Sequence, residues 1–509
     1  WNDRGRGNHR KARKAMKHIP VLVILFPLCG ALLCPLLDKL ARNVGKRAAI
    51  FALLLSAICA ATQLAQVARS GAAMHYRLGG WQPPYGIEFV IDGMNAPIIL
   101  LVAGISFLTA LYSSPFEDSA ARPQLRVSVY YSTLSFLAIG LLGMASTGDA
   151  FNLYVFMEIT ALAGYGLIAA GEGKGPIAAF RYLLTGTIGA SMYLLGVGFL
   201  YAATGTLNMT DLAMRLSGRM DSPLVILAMG CMIVGFGIKM ALFPFHGWQP
   251  AAHSYAHEGA DPMIAGIMIK IPAYAMIRFF YGVFKGEGEA MECFLLFLSM
   301  LAVCGVLYGS LKALRYDVYN KILAYSSIGQ VGYIAMGIAL GNDYGLAGAL
   351  LHIVSHAFMK SGLFYTSGAL KYKFGIHNTP AMGQVYREMP VTGGTITICA
   401  LSMIGLPPFA GFFSKWYLAL GAIQKGQYLF VAALILSSLL SAIYFFRLLE
   451  HLYMDPKKEL RDRYPKRELP WQMLAPILVS GMVILGLGLF HTYIVSDIFS
   501  MTLTEVMRA

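Results

Sequence analysis

Long apolar segments recur along the whole 509-residue chain, and they limit its fold more than any other feature. About 14 of them are close to 20 residues long, the length that an α-helix needs to cross a bilayer. Only 13% of the residues are charged, against about 25% in soluble globular proteins. We therefore predict an all-α polytopic membrane protein. The segments lie near 19–37, 48–69, 91–113, 127–147, 149–170, 177–203, 224–245, 262–284, 290–311, 319–340, 345–369, 391–424, 428–449 and 470–496.

Most connections between these segments are short, so we expect one membrane domain. An alternative start of translation at Met16 stays open, and it would remove most of the basic first run. The predicted parts are a basic N-terminal extension (1–18), helices 1–3 (19–126), helices 4–8 (127–289), helices 9–13 (290–449), and a basic loop with helix 14 (450–509).

The distribution of lysine and arginine predicts the orientation, because cytoplasmic loops carry an excess of these residues. The connections after helices 1, 3, 9, 11 and 13 are basic, and the connections on the other side hold few cations. This places 38–47 and 451–470 in the cytoplasm and both termini outside, in the cytoplasmic (inner) membrane of a cell. The net charge of +14 reflects this topology, and no aromatic-interleaved basic domain indicates a nucleic acid partner.

The seven cysteines all lie within apolar segments and form no CxxC pair or His/Cys cluster. We interpret them as small buried hydrophobic residues. No Fe–S, haem or zinc signature is present, so we predict no cofactor and no metal, and no self-contained catalytic chemistry.

Several predicted membrane helices contain ionisable residues with apolar neighbours on both sides. Each charge in the bilayer centre costs about 2.5–3.5 kcal/mol on insertion scales, so such residues are functional candidates. Three of them recur at four-residue spacing and therefore share one face of a helix. These three are His352, His356 and Lys360, and the others are Glu158, Lys239, Lys270 and Lys415.

Two of these lysines lie beside proline motifs that interrupt an apolar segment. The motif FPFHGW follows Lys239, and GLPPFAGFF precedes Lys415. Proline breaks a helix, and broken helices persist in a membrane only where protein or water satisfies the freed backbone groups. The breaks lie five segments apart, which predicts two inverted five-helix repeats, helices 4–8 and 9–13, with broken helices 7 and 12.

This arrangement leads to a proton-transfer hypothesis. A carboxylate near a buried lysine favours its charged form, so approach of Glu158 would switch Lys239 between holding and releasing a proton. Lys270 would follow, and the His352–Lys360 face would connect to Lys415 through water.

Structural roles are the alternatives for these residues. Glu158 and Lys239 could be an ion pair that only fixes helix packing, and Lys270 or Lys415 could extend to the interface. His352 and His356 could be core histidines bonded to the backbone. Lys321 lies near a helix end, where interface anchoring competes with an accessory role in transport.

The connection after helix 7, HSYAHEGADP, is rich in histidine and acidic residues. A metal site is an alternative there, but the mixed residue types and loose spacing favour hydrated proton uptake or a loop contact. The residues assigned to uptake or an accessory role are His246, His253, His257 and Lys321.

Together these segments resemble the antiporter-like subunit family that respiratory complex I, the Mrp-type cation/proton antiporters and the membrane-bound hydrogenases share. The resemblance runs from about helix 3 to helix 13. It implies that Glu158, Lys239, Lys270 and Lys415 are the ion carriers on helices 5, 7, 8 and 12. The segments that carry it are GDAFNLYVFMEITALAGYGLIA, GFGIKMALFPFHGWQPAAHSYAHEGADP, MIKIPAYAMIRF, YNKILAYSSIGQVGYIAMGI, HIVSHAFMKSGLFYTSGAL and GLPPFAGFFSKW.

The resemblance implies a proton-translocating subunit of a multisubunit complex, with membrane subunits, the lipid bilayer, H⁺ and, for the antiporter, Na⁺ as partners. The first interpretation is an Mrp-type antiporter, and the alternative is the ion-pumping subunit of a hydrogenase-like or complex I-like redox complex. A stand-alone transporter for a small solute and a scaffold without transport are further alternatives.

Overall fold

The computed structural model describes residues 18–41, 43–118, 127–285, 288–383, 385–454 and 468–499. The basic N-terminal extension, except His18, lies outside these residues. So do 455–467, which include the basic cluster of the last loop, and 500–509 at the C-terminus.

Long helices make up the fold, and their bounds follow the apolar segments closely. Two of them are broken: α7 continues after its first segment through a tight turn (Phe245–Trp248) into Gln249–Tyr255, and α12 resumes at Ala410–Gln424. In chain order they are α1 (Ile19–Leu37), α2 (Val44–Ser70), α3 (Asn95–Tyr112), α4 (Val127–Ser146), α5 (Ala150–Ala169), α6 (Gly175–Thr204), α7 (Pro223–Lys239), α8 (Asp261–Val283), α9 (Glu289–Ala313), α10 (Tyr319–Leu340), α11 (Asp343–Phe374), α12 (Pro390–Ile404), α13 (Tyr428–Tyr453) and α14 (Trp471–Leu489).

A small β-hairpin departs from the all-α expectation. Strand β1 (Met74–Arg77) pairs antiparallel with β2 (Glu88–Ile91). Residue 91 therefore belongs to a strand, and the predicted third helix begins at Asn95 instead. Strands of four residues are too short to produce a recognisable alternation in the sequence. The shorter helical elements are Leu78–Gly80, Ser114–Asp118, Met209–Leu216, Thr379–Met382, Val385–Glu388, His491–Tyr493 and Ile494–Phe499.

Within the described residues, 11 helices are long and apolar enough to cross a membrane. The other three long elements explain the difference from the predicted count of about 14. In α7 and α12 the breaks leave first segments of 17 and 15 residues. Helix α11 has 32 residues but carries two histidines and a lysine in its middle. The chain is thus a polytopic helical membrane protein.

Helices α8, α10 and α11 form the centre of the bundle. About 94% of the most apolar window of α8 and of α10 is buried, against 39% for α6 and α9. Helix α11 packs against α10, α12, α14 and the first part of α8. The ionisable residues of α8 and α11 are therefore enclosed by protein and not by lipid.

Backbone bridges between loops define two ends of the bundle. At the end that we call the hairpin face, Phe89 of β2 bridges Thr147, and Asp149 bridges Asn208. At the other end, which we call the opposite face, Val318 bridges Asn378.

Candidate functional site

Glu158 and Lys239 form an ion pair between α5 and α7. Lys239 Nζ lies 3.6 Å from Glu158 Oε1, and the side chains are 3% and 29% exposed. This distance is that of an ion pair without a hydrogen bond. The predicted approach of these two residues is therefore present in the structure.

The break in α7 places Lys239 at the end of a helix segment. The helix stops at Lys239, and Ala241 adopts a left-handed conformation with φ of 57°, which is uncommon for a residue other than glycine. The indole nitrogen of Trp248 donates a 2.9 Å hydrogen bond to the freed carbonyl of Ile238. The C-terminal end of a helix carries partial negative charge, so this position favours a cation.

Lys270 lies just after a wide turn within α8. Residues Ile264–Met268 form this π-type turn, and Pro272 follows four residues after Met268. Proline lacks an amide hydrogen and clashes with the carbonyl one turn earlier, which accounts for a local irregularity here. The ammonium of Lys270 donates a hydrogen bond to the carbonyl of Ala265 and is fully buried.

One face of α11 carries His352, His356 and Lys360, as the spacing predicts. The rings of His352 and His356 stack with centroids 5.6 Å apart. The ammonium of Lys360 donates 2.6 Å hydrogen bonds to the carbonyl of Leu323 and the hydroxyl of Ser326 on α10. All three side chains are fully buried.

The break in α12 supplies the acceptors for Lys415. Gly405 ends the first segment with φ of 92°, and the last carbonyls of that segment have no partner within the helix. Lys415 folds back from the second segment and donates to the carbonyls of Met403 at 3.1 Å and Ile404 at 2.9 Å. The hydroxyl of Ser438 accepts a third hydrogen bond at 3.1 Å. The same break that exposes these carbonyls therefore holds the charge.

Two residues that sequence analysis missed connect Lys415 to α11. Ser414 Oγ lies 2.9 Å from His352 Nδ1. The Lys415 ammonium lies over the ring of Tyr333, 5.0 Å from its centroid, and the rings of Tyr333 and His352 form a T-shaped contact with centroids 5.5 Å apart.

A repeat in the sequence could have indicated Ser326 and Tyr333. Asp149 is followed nine residues later by Glu158 and then by Gly164 and Tyr165. Asp317 is followed at the same spacing by Ser326, Gly332 and Tyr333.

The site consists of two groups of residues. Helix α8 packs against α11, the rings of His352 and His356 stack, and Ser414 beside Lys415 contacts His352. Lys270, His352, His356, Lys360 and Lys415 therefore form one group, the α8–α11–α12 row. The Glu158–Lys239 pair forms the other group. Helix α7 packs against α8, but among the described residues no side chain hydrogen-bonds to both Lys239 and Lys270.

Several polar atoms of the site are buried without a hydrogen-bond partner among the described residues. They are Glu158 Oε1, Lys239 Nζ, His352 Nε2 and both ring nitrogens of His356. Buried polar groups in proteins are nearly always hydrogen-bonded to protein or ordered water, so this concentration is unusual.

The residues assigned to uptake or an accessory role make different contacts. His246 stacks on Phe243 in the α7 break, and Lys321 lies over the ring of Tyr316 at the start of α10. His253 Nδ1 lies 2.7 Å from Asp261 Oδ1 in a fully buried pair, and the ring of His257 contacts Tyr130. Within the described part of the chain, no group of three or more His, Cys, Asp or Glu residues could hold a metal ion.

Known proteins resemble this chain in sequence and in fold. Residues 147–441 match the family model described as NADH:quinone oxidoreductase/Mrp antiporter, TM. The chain is 43% identical over 496 residues to the N-type subunit of the NADH-quinone oxidoreductase of Desulforudis audaxviator, covering 96% of this chain and 98% of that protein. It is 30% identical over 478 residues to the D-type subunit of the Na(+)/H(+) antiporter of Bacillus subtilis, with 93% and 94% covered.

A solved structure shows the same fold over nearly the whole chain. A component of the membrane-bound sulfane sulfur reductase, an archaeal respiratory membrane complex, superimposes with a TM-score of 0.87 and 30% sequence identity. The match covers 96% of this chain and 98% of that one. The broken helices, the buried row of ionisable side chains and these matches establish that the chain belongs to the NADH:quinone oxidoreductase/Mrp antiporter transmembrane family.

Proposed function

We propose that this chain is the proton-translocating subunit of a multisubunit membrane complex, and that H⁺ moves along the buried ionisable residues. The observation that carries the proposal is the α8–α11–α12 row. Lys270, the two stacked histidines with Lys360, and Lys415 lie buried in succession from α8 to α12. Ionisable groups are costly in a membrane, so a connected series of them favours a transport role over packing alone.

Water is the natural connector between these groups. Both ring nitrogens of His356 and Nε2 of His352 are buried polar atoms without a protein partner among the described residues. A buried water typically makes about three hydrogen bonds to such groups. Water at Lys239 Nζ, which forms no hydrogen bond within the described part of the chain, would likewise bridge the interval between Lys239 and Lys270.

We further propose that helices 4–8 (127–289) and 9–13 (290–449) are inverted repeats. The motif at Asp149 lies at the hairpin face, and its counterpart at Asp317 lies at the opposite face. Each motif is bridged to the loop that lies two helices further along the chain: Asp149 to Asn208 between α6 and α7, and Val318 to Asn378 between α11 and α12. Two copies of one motif at opposite ends are the expected result of inversion.

The exposed side of α5 supports association with a further membrane subunit. Glu158 is 29% exposed, and Phe151, Val155 and Leu162 are exposed at helical spacing on the same face. A carboxylate facing lipid would be costly, so a protein partner is the favourable cover. The positive-inside distribution supports placing the opposite face in the cytoplasm and the chain in the cytoplasmic membrane.

The two candidate functions differ in the source of energy for proton transport. Moving one charge against 100 mV requires about 2.3 kcal/mol, which an opposing Na⁺ gradient or a redox partner must supply. The 30% identity to a D-type antiporter component supports the first, and the 43% identity to an N-type oxidoreductase component supports the second. Proton flux driven by a Na⁺ gradient, against flux driven only by electron transfer, distinguishes them in the assembled complex.

The proposal is tested with Lys239→Ala in the assembled complex. Membrane vesicles carrying this variant are expected to lose proton flux, measured by quenching of a pH-sensitive dye. The matched control is Lys174→Ala, which removes an exposed lysine before α6. Unchanged flux in Lys239→Ala, with normal assembly, refutes the proposed function.

A further inference from the structure

A three-membered ion cluster lies at the opposite face, where the connections after α5 and α7 meet the end of α11. The ammonium of Lys371 contacts Glu172 at 2.8 Å and also pairs directly with Glu258. The side chains become steadily less exposed along this cluster, from 49% for Glu172 through 20% for Lys371 to 9% for Glu258. One cation thus links a solvent-facing carboxylate to a buried one.

Buried ionisable groups continue inward from Glu258. Asp261 lies three residues after Glu258, at the start of α8, and its amide donates a 3.0 Å hydrogen bond to the carbonyl of His257, next to Glu258. Asp261 contacts His253 Nδ1 at 2.7 Å, and Nε2 of the same ring has no hydrogen-bond partner among the described residues. A fixed carboxylate beside one ring nitrogen leaves the other nitrogen available to accept or release a proton.

The His253 ring reaches helix α11 close to the row. Its centroid lies 5.2 Å from the ring of Phe364, which is one helical turn from Lys360. The neighbouring Ser361 donates a 3.0 Å hydrogen bond to the carbonyl of Pro262, directly after Asp261. His253 and Pro262 therefore contact α11 within one helical turn of Lys360, a member of the α8–α11–α12 row.

We propose that Glu258 is a proton-uptake residue and that Lys371 is the positioning residue that gates it. The inference rests on the proposed function, because it assigns the source of the protons that the row carries. When Lys371 turns toward Glu172, an O–H bond of a hydronium ion breaks and leaves water, and an O–H bond forms at the Glu258 carboxylate. That O–H bond then breaks as the proton binds the Asp261 carboxylate, which contacts His253 Nδ1. Glu258 becomes a carboxylate again, and Lys371 restores the ion pair.

The charge balance at Glu258 decides how the gate responds to pH. A nearby cation favours the carboxylate form of a glutamate, so Lys371 opposes protonation of Glu258 until it moves away. Two further acids, two histidines and two tyrosines also lie near Glu258 and contribute to its charge balance. The titratable and charged groups around Glu258 are Glu172, Lys371, Asp261, His253, His257, Tyr112 and Tyr130.

The test measures the initial rate of proton uptake from the opposite face against pH, in vesicles that hold the assembled complex. We expect Glu258→Gln to lower the rate tenfold or more, since loss of a positioned proton-transfer group typically costs about 10²–10⁴-fold. We expect Lys371→Gln to move the pH midpoint of uptake upward by about one unit, since a single neighbouring charge shifts titration by this order. Lys371→Arg keeps the cation and is expected to retain the wild-type profile.

A matched control separates the role of Lys371 from the effect of removing any positive charge at this face. Lys373→Gln removes a positive charge two residues further along α11 and is expected to leave the rate and the profile unchanged. A wild-type rate in Glu258→Gln overturns the proposal, and so does slower flux in Lys371→Gln without any shift of the pH midpoint. If Lys239→Ala also retains flux, the proposed function fails. If Lys239→Ala loses flux while Glu258→Gln and Lys371→Gln behave as wild type, only the proposal about Glu258 and Lys371 fails.

Discussion

The Glu158–Lys239 pair offers the sharpest test of how this protein holds a charge inside the membrane. The substitution Glu158→Gln removes the negative charge and keeps the size and shape of the side chain. Lys239 is 3% exposed, so after the change its ammonium is shielded from solvent and has lost its counter-ion at 3.6 Å. The substitution therefore isolates the electrostatic contribution of the pair.

The geometry sets the magnitude of this contribution. Two unit charges 3.6 Å apart attract each other by roughly 4–5 kcal/mol at an effective dielectric constant of about 20. Glu158 is partly exposed, so this gross attraction is an upper value, and removing one partner of a buried pair costs about 3–5 kcal/mol. Since about 1.4 kcal/mol corresponds to a factor of ten, the ratio of charged to neutral Lys239 should fall by about 10².

Proton flux in vesicles of the assembled complex is the assay. We expect Glu158→Gln to reduce flux tenfold or more while assembly stays normal. A double-mutant cycle with Lys239→Met makes the test specific, because residues that act as a unit give non-additive effects. The double variant should then be no slower than Lys239→Met alone.

The control for this cycle is Glu289→Gln, which neutralises an exposed carboxylate in the first turn of α9. It is expected to leave flux unchanged. The reasoning about the pair is refuted if Glu158→Gln matches wild type. It is equally refuted if the fold reductions in flux of the two single variants multiply in the double variant, as they do for independent sites.

Two further predictions concern the break in α12. A Cβ at Gly411 would lie 1.8 Å from the carbonyl oxygen of Ser402, so Gly411→Ala should destabilise the protein by about 1–3 kcal/mol and lower its Tm. At Gly394 an added Cβ would have no neighbour within 4 Å outside the nearby backbone of its own helix, so Gly394→Ala should leave the Tm unchanged or higher. Equal thermal unfolding of the two variants would contradict this packing argument. Lys415→Gln should abolish most proton flux with little loss of stability, because an amide can still donate to the carbonyl of Ile404; retained flux would exclude Lys415 from the pathway.

Local regularities of the sequence predicted much of the fold. The segment predicted at 319–340 is the helix Tyr319–Leu340, and the segment predicted at 19–37 is Ile19–Leu37. Such agreement is expected, because the bilayer requires a fixed length of apolar helix regardless of the rest of the chain. The proline motifs likewise indicated both helix breaks, since the missing amide hydrogen acts on the residues next to it.

The partners of the charged residues could not be predicted in this way. Periodicity placed Lys360 on one face of its helix, but its acceptors are the carbonyl of Leu323 and the hydroxyl of Ser326, 37 and 34 positions away. The pairing of Lys371 with Glu258 joins residues 113 positions apart. These contacts depend on how whole helices pack, and no local pattern encodes that packing.

By itself, the amino-acid sequence determined which side chains had to be enclosed, because ionisable groups in apolar segments cannot face lipid without a large cost. The tertiary structure decided how each charge is held: Lys239 by a carboxylate of α5, and Lys415 by the carbonyls that its own broken helix sets free. The physical reason is that the apolar neighbours of a charge in the chain determine whether its segment enters the membrane, whereas compensation of a buried charge requires atoms brought close by folding.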